Sequence, residues 1–199
     1  MMLLALMMIC ASAAAWILAG AAMPDTRSYI RLAAIALGAL GIASALNGSL
    51  AHMVALIVMA IGPACLALAM LGTRTLPRSV AALILAAAAW SGIAAAAMNM
   101  MALALGPLIV SVAVMAGCAI RSWKIAPSRA AQALAAALAF LAGASVYVKG
   151  DLIGQMALLL FMSAGLLGIA LSLARDSDAA VEQRRVRDMR GRAIGGMRR

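Results

Sequence analysis

Apolar residues run along this chain in blocks of about 20, separated by short polar punctuation. At 1.5 Å of rise per helical residue, a block of that length crosses a hydrocarbon core of roughly 30 Å. The pattern predicts seven membrane-spanning helices: Leu3 to Met23, Leu32 to Asn47, Met53 to Leu71, Val80 to Met98, Met101 to Ile120, Ala130 to Val148 and Leu152 to Ala174. One stretch, Val80 to Ile120, is twice as long as a bilayer requires, so it must turn once. Asn99 is the only strongly polar residue near its middle, which places the turn there. The run Met1 to Met23 is read as the first helix. Ala11-Ser12-Ala13 looks like a small-residue cleavage site, but the run lacks a basic n-region and stays apolar for longer than a signal h-region does.

Charge orients the spans. The segments after the first, third and fifth blocks hold Arg27/Arg31, Arg74/Arg78 and Arg121/Lys124/Arg129, and the segment after the seventh holds Arg175 and seven more arginines. The alternate turns carry only Lys149, so fifteen of the sixteen Lys and Arg residues fall on one side. Basic loops stay cytoplasmic, which predicts an N-terminus outside and a basic C-terminus inside a cell membrane. The formal charge of +10 would suggest a nucleic-acid partner in a soluble protein. In a chain that is 67% hydrophobic and 11% charged, loop asymmetry accounts for it and no nucleic acid is expected. The division predicted is a transmembrane domain over 1–175 and a basic cytoplasmic tail over 176–199.

After the first helix, from the second block onward, the chain reads as three hairpins, each of about 50 residues. The first and third share Ala36-Leu37, Ser44-Ala45 and Gly48-Ser49-Leu50 against Ala137-Leu138, Ser145-Val146 and Gly150-Asp151-Leu152, which raises an internal repeat as one possibility and alanine-rich coincidence as the other. The first and second share Gly62-Pro63 and Gly106-Pro107. Proline inside a helix removes a hydrogen bond and kinks it. Pro63 and Pro107 are therefore candidate kinks, either bordering a transport site or simply satisfied by neighbouring helices. Small residues at spacing four, Ala11/Ala15/Ala19, Gly41/Ala45 and Ala139/Gly143, make flat faces on which helices approach closely.

Polar residues gather at the three turns opposite the arginines: Asn47, His52, Asn99, Lys149, Asp151 and Gln155. If the hairpins pack side by side, these form one outer polar rim. His52 is the one side chain there that ordinarily titrates near neutral pH, and Asp151 with Gln155 falls on one helical face. The ordinary reading is a solvated set of turns. No ionisable residue sits at the middle of a span, where proton relays commonly place one. Cys10, Cys65 and Cys118 lie in separate apolar blocks without CxxC spacing, and one histidine cannot supply a pair of axial ligands. No metal, haem or other cofactor is expected, and the serines lack a His-Asp set for hydrolysis. The segment Leu158 to Gly165 resembles the last helices of the lysoplasmalogenase-like membrane family. The acidic residues that family carries in its helices are missing here, so the resemblance implies no activity.

In the tail, Val186, Met189, Ala193 and Met197 fall on one helical stripe, with Arg184/Asp188 and Asp188/Arg192 at i, i+4. Such a tail either lies as a helix on anionic lipid headgroups or is unstructured. Taken together, the sequence favours a non-enzymatic accessory or structural subunit that docks on other membrane proteins, or on itself, through small-residue faces. The alternative is a small-solute transporter or channel with a polar outer mouth.

Overall fold

The structure, a computed structural model, describes the backbone of residues 1–46, 48–71, 76–148 and 151–196; side chains are described within those ranges except at Asp25, Gly48, Ser49 and 176–196. The described residues form seven helices and no strand: α1 (Met2–Ala21), α2 (Pro24–Leu46), α3 (Gly48–Leu71), α4 (Arg78–Met98), α5 (Met101–Ser122), α6 (Pro127–Tyr147) and α7 (Leu152–Gly196). Each contains a stretch long and apolar enough to cross a bilayer. The architecture is the all-α, seven-helix membrane arrangement that the apolar blocks predict.

Three boundaries differ from the sequence reading. Helix α2 starts at Pro24 and not near Leu32. Proline suits a first helical position, where its missing N–H has no partner to lose, and the two arginines in the next turns bend back onto α1. Arg27 Nη2 donates to the carbonyls of Gly20 and Ala22 at 2.9 and 3.3 Å, and the Arg31 guanidinium lies 4.9 Å above the Trp16 ring. Arg27 thereby sits at the negative end of the α1 dipole. Helix α3 begins at Gly48, earlier than Met53, which puts His52 inside the helix. Helix α7 continues past Ala174 to Gly196 and crosses the boundary at 175 without a break. The apolar stripe and charge pairs read in the tail fall on side chains outside the described residues, as do Asn47, Arg74 and Lys149.

Proline and asparagine mark opposite ends of the bundle. At the arginine-rich end Pro24, Pro77 and Pro127 each stand at a helix start. At the other end α4 closes on Asn99, whose φ of 51° is the one positive value on a non-glycine residue among those described. Asparagine tolerates this left-handed geometry better than most residues. The Met100 N–H then donates to the Ala95 carbonyl at 2.9 Å, completing a Schellman-type end.

Helices α1, α2, α3, α5, α6 and α7 pack in that order and close on themselves as a ring, while α4 lies outside against α3 and α5. The α2/α3 and α6/α7 hairpins are intimate. The α4/α5 hairpin is parted, since both helices pack more on α3 than on one another. Glycine makes the α3–α4 approach possible: a Cβ at Gly92 would lie 2.9 Å from Ile57 Cα and 3.1 Å from its carbonyl oxygen. The ring's interior is filled by large side chains with no appreciable exposure, among them Met8, Leu37, Met59, Leu66, Met115 and Phe140.

The small-residue faces are largely consumed inside this bundle. A Cβ at Gly41 would come within 3.0 Å of the Ala5 carbonyl on α1, and one at Gly143 within 3.0 Å of Phe161 Cβ on α7. Ala11, Ala15 and Ala19 are also buried. Gly41 and Gly143 therefore serve contacts within the chain and offer no free face to another protein, while Ala45 is exposed and Ala139 half-buried. Lipid chains are as apolar as these side chains, so close backbone contact between the protein's own helices is what such faces supply.

Candidate functional site

At the arginine-poor end, one side chain from each hairpin meets the others. His52 stands in the second turn of α3, Asn99 caps α4, and Tyr147 is the last residue of α6. The His52 Nε2 lies 2.9 Å from Asn99 Oδ1, and its Nδ1 lies 2.6 Å from the Tyr147 hydroxyl. An amide oxygen only accepts, so Nε2 carries the proton and donates to Asn99. In the neutral ring Nδ1 is then the acceptor, and the Tyr147 hydroxyl donates to it. The two rings also stack, with centroids 5.7 Å apart and planes inclined by 27°. Tyr147 is 3% exposed, so the histidine provides its buried hydroxyl with a partner.

Below the Tyr147 ring is a small cavity lined by Leu40, Ser44, Ala51, Ala55, Tyr147, Gln155, Leu158 and Leu159. The centre of a water molecule can sweep about 10 Å³ of it, which is room for one water. Leu40, Leu158 and Leu159, all fully buried, form its apolar wall.

Of the sequence-predicted rim, the structure thus brings His52 and Asn99 into direct contact and sets Gln155 beside the cavity. Asp151 does something else. Its Oδ1 accepts the Gly154 N–H at 2.7 Å, the geometry of a helix N-cap. The carboxylate thus caps the start of α7. Asn47 and Lys149 lie outside the described residues. Tyr147 was not among the residues singled out from the sequence. The available signal was that a tyrosine ending an apolar block must place its hydroxyl against a partner or water.

The carbonyl that Pro107 frees meets a neighbouring helix. Pro107 leaves the Leu103 carbonyl without its helical donor, and the Ser91 hydroxyl of α4 donates to that oxygen. A neighbouring helix therefore satisfies the freed group, as proline in membrane helices requires. Pro63 lies inside α3, which continues through it. The buried hydroxyls of Ser12, Ser111 and Ser163 donate to the carbonyls four residues back, at 2.9, 2.6 and 2.7 Å, the usual way such groups are satisfied within a helix. The three cysteines are free and apart: Cys10 exposed, Cys65 buried, Cys118 between. Among the described residues no group of three or more His, Cys, Asp or Glu side chains could hold a metal.

Seven bilayer-length helices around an apolar packed interior define a multi-pass helical membrane protein. No known protein family, curated protein or solved structure matches the chain.

Proposed function

We propose that this chain is a non-enzymatic accessory or structural subunit of a cell membrane, with its N-terminus outside and its basic C-terminus in the cytoplasm, docking on membrane proteins through its lipid-facing surface. The observation that carries this reading is the packed interior: where a solute path would run, the ring holds Leu37, Met59, Leu66, Met115 and Phe140 at essentially zero exposure. Helices meet in lipid through close packing and small residues. Ala45, Ala86 and Ala164 remain exposed on the outer surface and suit that use. Positive charge gathered at one end supports the orientation.

A second reading, a small-solute transporter with an outer polar mouth, draws on the meeting of His52, Asn99 and Tyr147 above the cavity that Ser44 and Gln155 line. Purification in mild detergent separates the two. A docking subunit carries stoichiometric companions; a chain that runs alone and moves a solute in liposomes defeats the docking reading. Orientation has its own test. Cysteine placed at Gly150 is expected to react with an impermeant thiol reagent in intact cells, and cysteine at Ser177 is not; the reverse pattern overturns the topology.

A further inference from the structure

Tryptophan in membrane proteins gathers at the two interfaces, where its ring is apolar and its N–H can reach water or headgroups. Trp16 and Trp123 follow this rule. Trp16 packs under Arg31 near the arginine-rich end of α1, and Trp123 directly follows α5 at the same end. Trp90 does not. It lies about 12 Å along α4 from the Met98 end at 1.5 Å per residue. Side chains on a helix lean toward its N-terminus, which carries the indole close to the middle of a core of roughly 30 Å. Trp90 is 72% exposed, and its N–H meets no acceptor among the described residues. A donor left bare at that depth is unfavourable.

The opposite face of the bundle carries the complementary shape. A lipid-facing groove of about 440 Å³ runs between α1 and α7, lined by Met7, Cys10, Ala11, Ala14, Leu160, Ser163, Ala164 and Leu167. Along their helices these residues lie roughly 8 to 22 Å from the arginine-poor end, the depth of the Trp90 ring. The groove is apolar apart from Cys10 and Ser163. Ser163 is 6% exposed; its single proton has the Leu159 carbonyl at 2.7 Å and the Met8 sulfur at 2.8 Å. A hydroxyl oxygen keeps two acceptor positions, so the groove holds an acceptor without a donor where Trp90 is a donor without an acceptor. Around the ring, the α3/α5 junction that carries α4 stands across from the α7/α1 junction that carries the groove.

We propose that Trp90 of one copy seats in the α1/α7 groove of a second copy, with its indole N–H donating to Ser163 Oγ. The occupant is this chain because all copies insert with the same polarity, which holds knob and groove at one depth. Because the two elements lie on opposite faces, the contact is head-to-tail and builds rows or rings. The inference shares with the docking reading only the use of the lipid-facing surface.

Subunit counting by single-molecule photobleaching, with full-length labelled protein at low density in liposomes, tests it. The native chain is expected in assemblies of more than one copy. Trp90→Ala removes the knob and Ala164→Phe plugs the groove; each alone is expected to run as single copies. Both residues face outward, so helical content and thermal midpoint should be unchanged, and a variant that loses either is replaced by Trp90→Leu or Ala14→Phe. Mixing the two variants is decisive, since one keeps the groove and the other the knob: mixed pairs should form and nothing larger. Native chain that is single throughout overturns the proposal, while companions retained in detergent would still leave docking on another protein standing. Assembly lost in Trp90→Ala but kept in Ala164→Phe, with no rescue on mixing, overturns it in favour of a two-fold α4–α4 contact.

Discussion

Helices α3 and α4 are similar in length and both strongly apolar, yet 72% of the α3 span is buried in the bundle against 22% for α4. In a soluble protein such a difference would show as a wide apolar surface on one helix and a polar face on the other. Here both helices are apolar all round, because lipid and protein make the same demand on a side chain. What separates them is packing. Around α3 lie α2, α4, α5 and, more lightly, α7, whereas α4 rests on α3 and α5 alone. The lesson is that burial in this molecule is decided by backbone approach at positions such as Gly92, not by hydrophobicity.

The largest expected effect tests that contrast directly. Met59 on α3 is fully buried and Leu83 on α4 is 69% exposed. Met59→Ala opens a cavity that lipid cannot reach and is expected to destabilise the bundle by about 2–5 kcal/mol, whereas Leu83→Ala should stay within about 0.5 kcal/mol. Denaturation in mixed micelles followed by circular dichroism reads both, and equal losses would erase the distinction between core and peripheral helix.

Next in size is the contact that ties α3 to the other two hairpins. His52→Ala leaves the buried Tyr147 hydroxyl without its acceptor, an expected loss of about 1–3 kcal/mol. Tyr147→Phe removes the donor and leaves Nδ1 of a half-exposed imidazole, for which about 0.5–1.5 kcal/mol is expected. The same denaturation series should rank histidine loss above tyrosine loss; the opposite order would show that the ring stack matters more than the hydrogen bonds.

A smaller effect probes how α4 is held. Ser91→Ala strands the Leu103 carbonyl freed by Pro107, with an expected cost of about 0.6–2 kcal/mol. Combining it with Pro107→Ala restores the helical donor, so Ser91→Ala should then cost little. A double-mutant cycle with no coupling would mean that the serine bond contributes nothing to α4 docking. The smallest effect is local: Asp151→Ala removes the α7 N-cap, with an expected loss of about 1 kcal/mol and no change in how α3 and α4 differ.

What could be read in advance follows from the bilayer. A span must satisfy its own backbone hydrogen bonds and fill a fixed thickness. The number of helices, the turn at Asn99 and the gathering of Arg27, Arg78, Arg121 and Arg129 at one end were therefore legible as periodicity and charge. The start of α2 was missed because Arg27 and Arg31 read as loop residues; only the nearby α1 carbonyls and Trp16 give those cations a reason to lie within a helix. Asn99 and His52 were visible as polar residues near turns, but 47 positions separate them. Tyr147 lies 95 positions from His52, and nothing in the spacing pairs these three side chains. Tertiary structure alone decided which small faces are spent inside, as at Gly41 and Gly143, and which remain open, as at Ala164. The physical reason is that lipid rewards every apolar side chain alike, so the choice of neighbour rests on the fit of helix surfaces that become adjacent only when the ring closes.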